Sequence, residues 1–218
     1  MKSQLLAWLA GAEFQKIVDA SLAQSRTLRV LITITYEGDI LMRWRAIDAI
    51  GRCAGRLCTI RPGSLKNLLR RLFWMMSDES GAIAWHAPEA IGEIIRSNPV
   101  AFAEFIPMTI ALLELEPEDL PPFLPGILYA LGRIGEAAPE RIREGLPGIT
   151  AALANPDPQI RAMAVWSLGM LGARDALKRH RELAHDSSEA LVYREERLQT
   201  LTIAMFWAES MRETRSAK

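Results

Sequence analysis

The amino-acid sequence predicts an all-α protein, a right-handed α-solenoid of about four helix pairs, with a small β-hairpin as one of two readings of its C-terminal segment. Three observations predict it. Residues 157–172, DPQIRAMAVWSLGMLG, put Ile160, Ala164, Leu168 and Leu171 at helical spacing on one face, behind an Asp-Pro start and ahead of a closing glycine. The same pattern can be laid over residues 39–55, 78–92 and 119–135. Aligned on a shared glycine, the four copies bring Gly51, Gly92, Gly132 and Gly169 into register, 41, 40 and 37 residues apart. Such a period belongs to arrays in which each helix pair buries its apolar face only against its neighbours.

Residues 1–25 form two short capping helices, 4–10 and 13–23, separated by Gly11, with Leu5, Leu9, Phe14, Ile17 and Val18 among their apolar positions. A terminal unit that closes the open end of a stack is expected to be atypical. The array, residues 26–173, has first helices over 26–36, 64–76, 99–115 and 139–154, each followed by a second helix that carries the glycine. The turns between them, EGD, SDESG, EPED and NPDP, hold the capping candidates Asp39, Ser77, Asp78, Asp119 and Asp157. Within 28–36, VLITITY is β-branched enough to resemble a strand, but its place in the period predicts helix.

Ahead of each shared glycine stand small-then-aliphatic pairs, Ala49-Ile50, Ala90-Ile91, Ala130-Leu131 and Ser167-Leu168, whose small members let neighbouring helices approach closely. Ala46, Ala87, Ile127 and Ala164, with Met42, Ile83, Phe123 and Ile160, complete the buried stripe. Gly132 and Gly135 read as helix-end punctuation. Pro88 falls inside the second helix of residues 78–92, and predicts a kink at Trp85 and His86 because it has no N–H to give the Ala84 carbonyl.

Residues 174–218 form a C-terminal cap: a helix over 174–184, then a segment, 189–202, that reads either as a hairpin or as the start of one long helix. The hairpin is preferred. A helix over about 203–212 follows, and the last five residues are expected to be disordered.

Composition bounds the function. Twenty-six Lys and Arg balance twenty-six Asp and Glu, which removes a general electrostatic drive toward nucleic acid. Cys53 and Cys58 are too few for a disulfide framework and wrongly spaced for a zinc site, so they read as buried thiols in a reducing cytosol. No apolar run approaches the roughly 18 residues of a membrane span. Met1-Lys2 followed by LLAWLAGA has the outline of a signal peptide, but its apolar part is short and runs into an amphipathic helix, so a cytoplasmic protein is expected.

The run from Asp157 through Ile160, Arg161, Ala164, Ser167, Leu168 and Gly169 to Gly172 resembles the D-x-x-V-R-x-x-A-x-x-A-L-G-x-[IL]-G signature of HEAT-like repeats of the phycobilin-lyase type. Asp39, Met42, Arg43, Ala46, Ala49, Ile50 and Gly51 form a second good match, whereas Ala84 and Leu124 replace the arginine in the middle copies. The resemblance, over residues 26–185, implies that Asp and Arg tie adjacent repeats together. It implies a fold more than a function, since HEAT-like proteins include scaffolds, bilin lyases, a DNA glycosylase group and iron hydroxylases.

In such a stack the second helices line the concave surface, and positions seven and three before the glycine and one after it face the groove. They read Trp44, Asp48, Arg52; Trp85, Glu89, Glu93; Pro125, Tyr129, Arg133; and Ala162, Trp166, Met170. Every copy puts an aromatic there, and rigid aromatics beside charges typify binding surfaces. The plainer alternative is that these rings pack against the next helix or against a terminal segment folded into the groove. The candidate binding residues are Trp44, Asp48, Trp85, His86, Glu89, Tyr129, Arg133 and Trp166, centred on the deviant Trp85–His86–Glu89 copy.

No catalytic constellation is recognised. His86 and Glu89 are three apart, as two metal ligands on one helical face would be, but the several His-Glu dipeptides of the iron hydroxylases are missing, and no metal or cofactor is expected. There is no Gly-x-Ser-x-Gly and no phosphate loop. The expected function is a non-enzymatic scaffold or adaptor that holds a protein or peptide partner in its concave groove. The alternatives are a lyase-like enzyme or chaperone acting on a protein-bound cofactor, which rests on the resemblance, and nucleic-acid binding of the glycosylase type, against which Asp48, Glu89 and Glu93 offset Arg43, Arg45, Arg52 and Arg133.

Overall fold

Asp39 and Asp157 start the two most regular second helices by the same device: the side chain of Asp39 accepts from the Met42 N–H at 3.1 Å and that of Asp157 from the Gln159 N–H at 2.8 Å. These caps satisfy donors that an α-helix leaves without partners in its first turn. The computed structural model describes residues 1–76, 86–115 and 120–212. The expectations for Ser77, Asp78, Ile83, Ala84, Trp85, Asp119 and the last five residues lie outside them.

The chain is an α-solenoid of successive helix pairs. Helices α1 (Lys2–Ala10) and α2 (Phe14–Ala23) cap one end. The pairs are α3 (Arg26–Ile34) with α4 (Ile40–Ile60), α5 (Pro62–Met76) with α6 (Ala87–Ser97), a segment centred on α7 (Ile106–Ala111) with α8 (Leu120–Ala137), and a segment centred on α9 (Leu146–Ala151) with α10 (Pro158–Met170). After α11 (Arg174–Arg179) and a 3-10 turn come strands β1 (Glu189–Arg194) and β2 (Arg197–Thr202), then α12 (Ile203–Met211). The VLITITY segment is helical to Ile34, as its place in the period predicts.

The second helices pack side by side in the order α4, α6, α8, α10, and α12 continues the row. The shared glycines are the contact points. A Cβ on Gly92 would stand 2.5 Å from the Ala130 Cα of α8, and one on Gly132 would stand 2.5 Å from the Trp166 ring of α10. The corresponding Cβ of Gly51 would strike the Glu93 carboxylate of α6, and that of Gly169 would strike Ser210 of α12. A one-residue repeat feature thus sets the helix-to-helix spacing of the whole row, because only a residue without a Cβ lets the next helix approach this closely. Gly132 and Gly135 lie within α8 and serve this contact, with Gly135 against Leu171, rather than ending a helix.

Several boundaries differ from the sequence expectation. Helix α4 runs through Gly55 to Ile60, because nothing crowds Gly55 and the apolar face continues through Leu57 and Cys58. The first helices of the last two pairs are broken: 3-10 turns at Ala103–Phe105 and Pro139–Gly145 precede α7 and α9. Pro107 and Pro147 sit in the first turns of those short helices, where the missing N–H has no consequence, and the residue before a proline resists continuing an α-helix. For the same reason Pro88 opens α6 instead of kinking it.

Arg43 and Arg161 also depart from the tie between repeats that the resemblance implied. Arg43 donates to the Glu37 and Gly38 carbonyls of its own turn. Arg161 donates to the Asn155 and Pro156 carbonyls at 2.8 and 2.9 Å and also pairs with Asp186 of the C-terminal cap at 2.9 Å. Helix α10 closes at Gly172, whose φ of +66° admits glycine without strain, with the Ala173 N–H on the Leu168 carbonyl at 2.9 Å.

Residues 189–202 form an antiparallel hairpin that pairs Glu189 with Thr202 and Arg194 with Arg197 around a two-residue loop, Glu195-Glu196. Both loop residues are left-handed, at φ 49° and 64°. Alternation explains the strand: Ala190 and Val192 turn into the core, where a helix would have scattered them around its circumference. Cys53 and Cys58 are buried and unbridged, and burial pushes the Cys53 thiol up to about 11. Among the described residues no helix is long and apolar enough to cross a membrane.

Candidate functional site: a roofed concave groove

Helical spacing along α4 brings Trp44, Asp48 and Arg52 to the concave side, α6 brings Glu89 and Glu93, α8 brings Tyr129 and Arg133, and α10 brings Met163, Trp166 and Met170. Three of the expected rings meet. Trp44 stands edge-on to Tyr129 with centroids 5.1 Å apart, and Tyr129 stacks on Trp166 at 5.3 Å with 9° between planes. The His86 ring lies 6.4 Å from Trp44. Each such aromatic pair contributes about 0.5–1.5 kcal/mol beyond area burial. Trp85 falls outside the described residues.

Two carboxylates of α6 are buried below the rings. Glu93 is 3% exposed and accepts from Tyr129 Oη at 2.7 Å, Arg133 Nε at 2.6 Å and Arg96 Nη2 at 3.2 Å. Burial first, and then the Glu93 charge, hold the Tyr129 phenol well above its usual range. Burial opposes the charge of Arg133, but Glu93 outweighs it and holds the guanidinium protonated. Glu89, 5% exposed, meets His86 Nδ1 through Oε1 at 2.9 Å, and Gly126 leaves room for its head. Its Oε2 has no hydrogen-bond partner among the described residues. The sequence placed Glu89 and Glu93 on a wet face; the close approach of α8 buries them instead.

The hairpin folds back over this surface, so the plainer alternative of a terminal segment in the groove is what the structure contains. Tyr193 of β1 stacks on Trp44, centroids 5.9 Å apart and planes 5° apart, and donates through Oη to Asp48 Oδ2 at 3.1 Å. Arg52 holds Asp48 at 2.8 Å and reaches Glu196 Oε1 at 2.8 Å. Arg45 joins three parts of the molecule, donating to the Leu9 and Ala10 carbonyls at the end of α1 and to the Glu196 carbonyl at the hairpin tip. At the other end of β1 the Gln159 side-chain amide makes two 2.9 Å bonds to the main chain of Leu191.

Between roof and floor remains a compartment of about 680 Å³. Its apolar lining includes the rings of Trp44, Tyr129, Trp166 and Tyr193, with Met163 and Met170 of α10 and Leu191 and Val192 of β1. Five carboxylates, those of Asp48, Glu93, Glu136, Glu195 and Glu196, face three guanidinium groups, those of Arg52, Arg133 and Arg194. The sequence reading included Trp44, Asp48, Tyr129, Arg133 and Trp166 and missed Tyr193, Glu196, Arg45 and Gln159. Period-2 alternation around Tyr193 announces a strand, but nothing local says that the strand lies across helices 145 residues away. Among the described residues no three His, Cys, Asp or Glu side chains converge as a metal site would require.

No family model matches the chain. A protein of Archaeoglobus fulgidus, described only as uncharacterized, is 33% identical over 147 residues, which cover 65% of this chain and 73% of the archaeal one. The chain belongs to the same family as that archaeal protein. Among solved structures it resembles an engineered protein at 16% identity with a TM-score of 0.50, covering 83% of this chain and 76% of the other, a likeness of fold alone. An archaeal HEAT-like repeats protein from Thermococcus onnurineus NA1 is 17% identical with a TM-score of 0.38, over 96% and 95% of the two chains. The fold is that of a repeat α-solenoid, and the likeness to HEAT-like repeats, the phycobilin-lyase type included, rests on the motif residues.

Proposed function

We propose that this chain is a non-enzymatic binding or scaffold protein whose concave groove receives a peptide segment of a partner protein. The observation that carries the reading is the compartment under the hairpin. Its volume of about 680 Å³ lies within the roughly 300–1,000 Å³ of ligand sites, and it combines a floor of aromatic rings with a few fixed charges. The buried and half-buried groups already hold one another in place: Glu93 fixes Arg133 and Tyr129, and Asp48 fixes Arg52 and Tyr193. A preorganised surface of this kind binds with little further loss of side-chain entropy.

The experiment is capture of partners from native extract on the full chain and on Trp166→Ala and Arg133→Ala variants, with binding of each recovered partner then measured. The reading expects at least one partner whose affinity falls about tenfold or more with Trp166→Ala, as for an interface anchor. Partners that bind all three proteins equally would remove the groove from the account. In this reading Trp44, Asp48, Tyr129, Arg133 and Trp166 contact the partner, while His86 and Glu89 support Trp44 from the side.

A further inference from the structure

We infer that the outer edge of β1 is a docking rail for an extended, basic peptide segment, which adds as a third strand between the hairpin and the concave helices. The inference rests on the binding reading above and names the occupant's conformation and charge.

The first support is the behaviour of Gln159. Its Oε1 accepts from the Leu191 N–H and its Nε2 donates to the Leu191 carbonyl, both at 2.9 Å. A side-chain amide is chemically a peptide group, so this pair of bonds is the pair that a neighbouring strand would make with Leu191. It also fixes the direction of the edge. N–H and C=O groups alternate sides along a strand, so those of Tyr193, two residues on, turn away from β2 as those of Leu191 do. Among the described residues nothing outside the hairpin bonds to the Tyr193 main chain. Gln159 therefore closes the rail at its base and leaves it unpaired toward the tip.

The second support is the space beside that edge. The compartment is lined on one side by β1 and on the other by Met163, Trp166 and Met170 of α10. A chain seated about 4.8 Å from β1 would place alternate side chains over those three residues. The third is charge. The lining carries five carboxylates against three guanidinium groups; Asp48, Glu93, Glu136 and Glu196 are paired with arginines, and Glu195 has no ion-pair partner among the described residues. Glu195 and Glu196 stand at left-handed positions where Asn-Gly would cost less, and they put two of those carboxylates at the open end of the rail. A lysine or arginine in the incoming strand meets that surplus. A nucleic acid would meet the same surplus as repulsion.

The test is selection from a displayed library of random heptapeptides on the immobilised full chain, followed by synthesis of the enriched peptides with single backbone N-methyl groups at each position in turn. The inference expects enriched peptides that carry Lys or Arg, bind Trp166→Ala poorly, and lose about tenfold in affinity, the worth of one hydrogen bond, when N-methylated at the one position whose N–H meets the Tyr193 carbonyl and little at the others. Peptides that need Trp166 but tolerate N-methylation everywhere would overturn the rail and leave the groove reading standing. Enriched peptides without basic residues would overturn the charge assignment. If no peptide is enriched the rail is overturned, and the groove reading is then judged by the native partners alone.

Discussion

The row of second helices and the hairpin that roofs it are held by different physics. In the row, α4, α6, α8, α10 and α12 approach until glycine is the only residue that fits, and the contacts are dense and apolar. The hairpin is a two-stranded ribbon, a structure marginal in water by itself. Its base is held by the burial of Ala190 and Val192 in the core, but toward the tip it is tied to the row by one aromatic stack and by hydrogen bonds from Arg45, Arg52 and Tyr193, most of them partly open to solvent. The difference teaches that the groove's floor is fixed with the fold, whereas the tip of its roof is set by contacts that water competes for.

Five changes break or sharpen that contrast. Gly92→Val drives a side chain into the α8 backbone and is expected to destabilise by about 3 kcal/mol or more, read as a large loss in thermal midpoint or in soluble yield. Glu93→Ala takes the acceptor from the half-buried Tyr129 and leaves Arg133 with Glu136 alone, and should cost roughly 2 kcal/mol in denaturant unfolding. If it cost less than about 1 kcal/mol, the hub under the rings would be ornamental.

The third change is alkaline pH. Burial raises Tyr129 and Tyr193 above the ordinary phenol range, so the folded state keeps protons that the unfolded chain releases. That stability is fully present below the unfolded value of about 10 and is lost as pH rises through it toward the raised folded values, by up to roughly 1.4 kcal/mol per pH unit for each phenol. Cys53 adds a loss of the same sign from about 8.5, its unfolded value. Tyr129→Phe should flatten the fall above pH 10, as followed by thermal denaturation.

Tyr193→Phe removes only the bond to Asp48. It is expected to cost about 0.5–1 kcal/mol, to leave the row intact, and to speed hydrogen exchange in β1 and β2 alone. Faster exchange throughout the array as well would mean that roof and row are one cooperative unit. Gly55→Ala is the smallest change and has the opposite sign to Gly92→Val. The position is exposed, mid-helix and uncrowded, so alanine should stabilise by about 0.5–1 kcal/mol.

Much of the fold was legible because a solenoid is nearly one-dimensional: each repeat needs only its neighbours, so a period in sequence becomes a period in space. Asp39, Asp157 and the shared glycines carried most of that information. The helix boundaries differ from the sequence expectation at glycines and at prolines. Gly55, Gly132 and Gly135 lie inside helices, whereas Pro88, Pro107 and Pro147, which the period places within longer helices, each stand in a first turn. The site was half legible. Trp44, Tyr129 and Trp166 could be assigned to one face by spacing, but their burial could not, because that depends on how closely α6 and α8 pack and on what lies above them.

The sequence by itself determined the helix pairs, their period, and the positions that turn toward the concave side, since caps, apolar spacing and missing side chains all act over a few residues. Only the tertiary structure decided that Glu89 and Glu93 are buried, that Arg43 and Arg161 brace their own turns, and that the hairpin of residues 189–202 comes to rest on helices formed far earlier in the chain. Those outcomes depend on long-range closure. The contacts that secure it, Tyr193 on Trp44 and Arg45 on Glu196, join residues that share no local pattern.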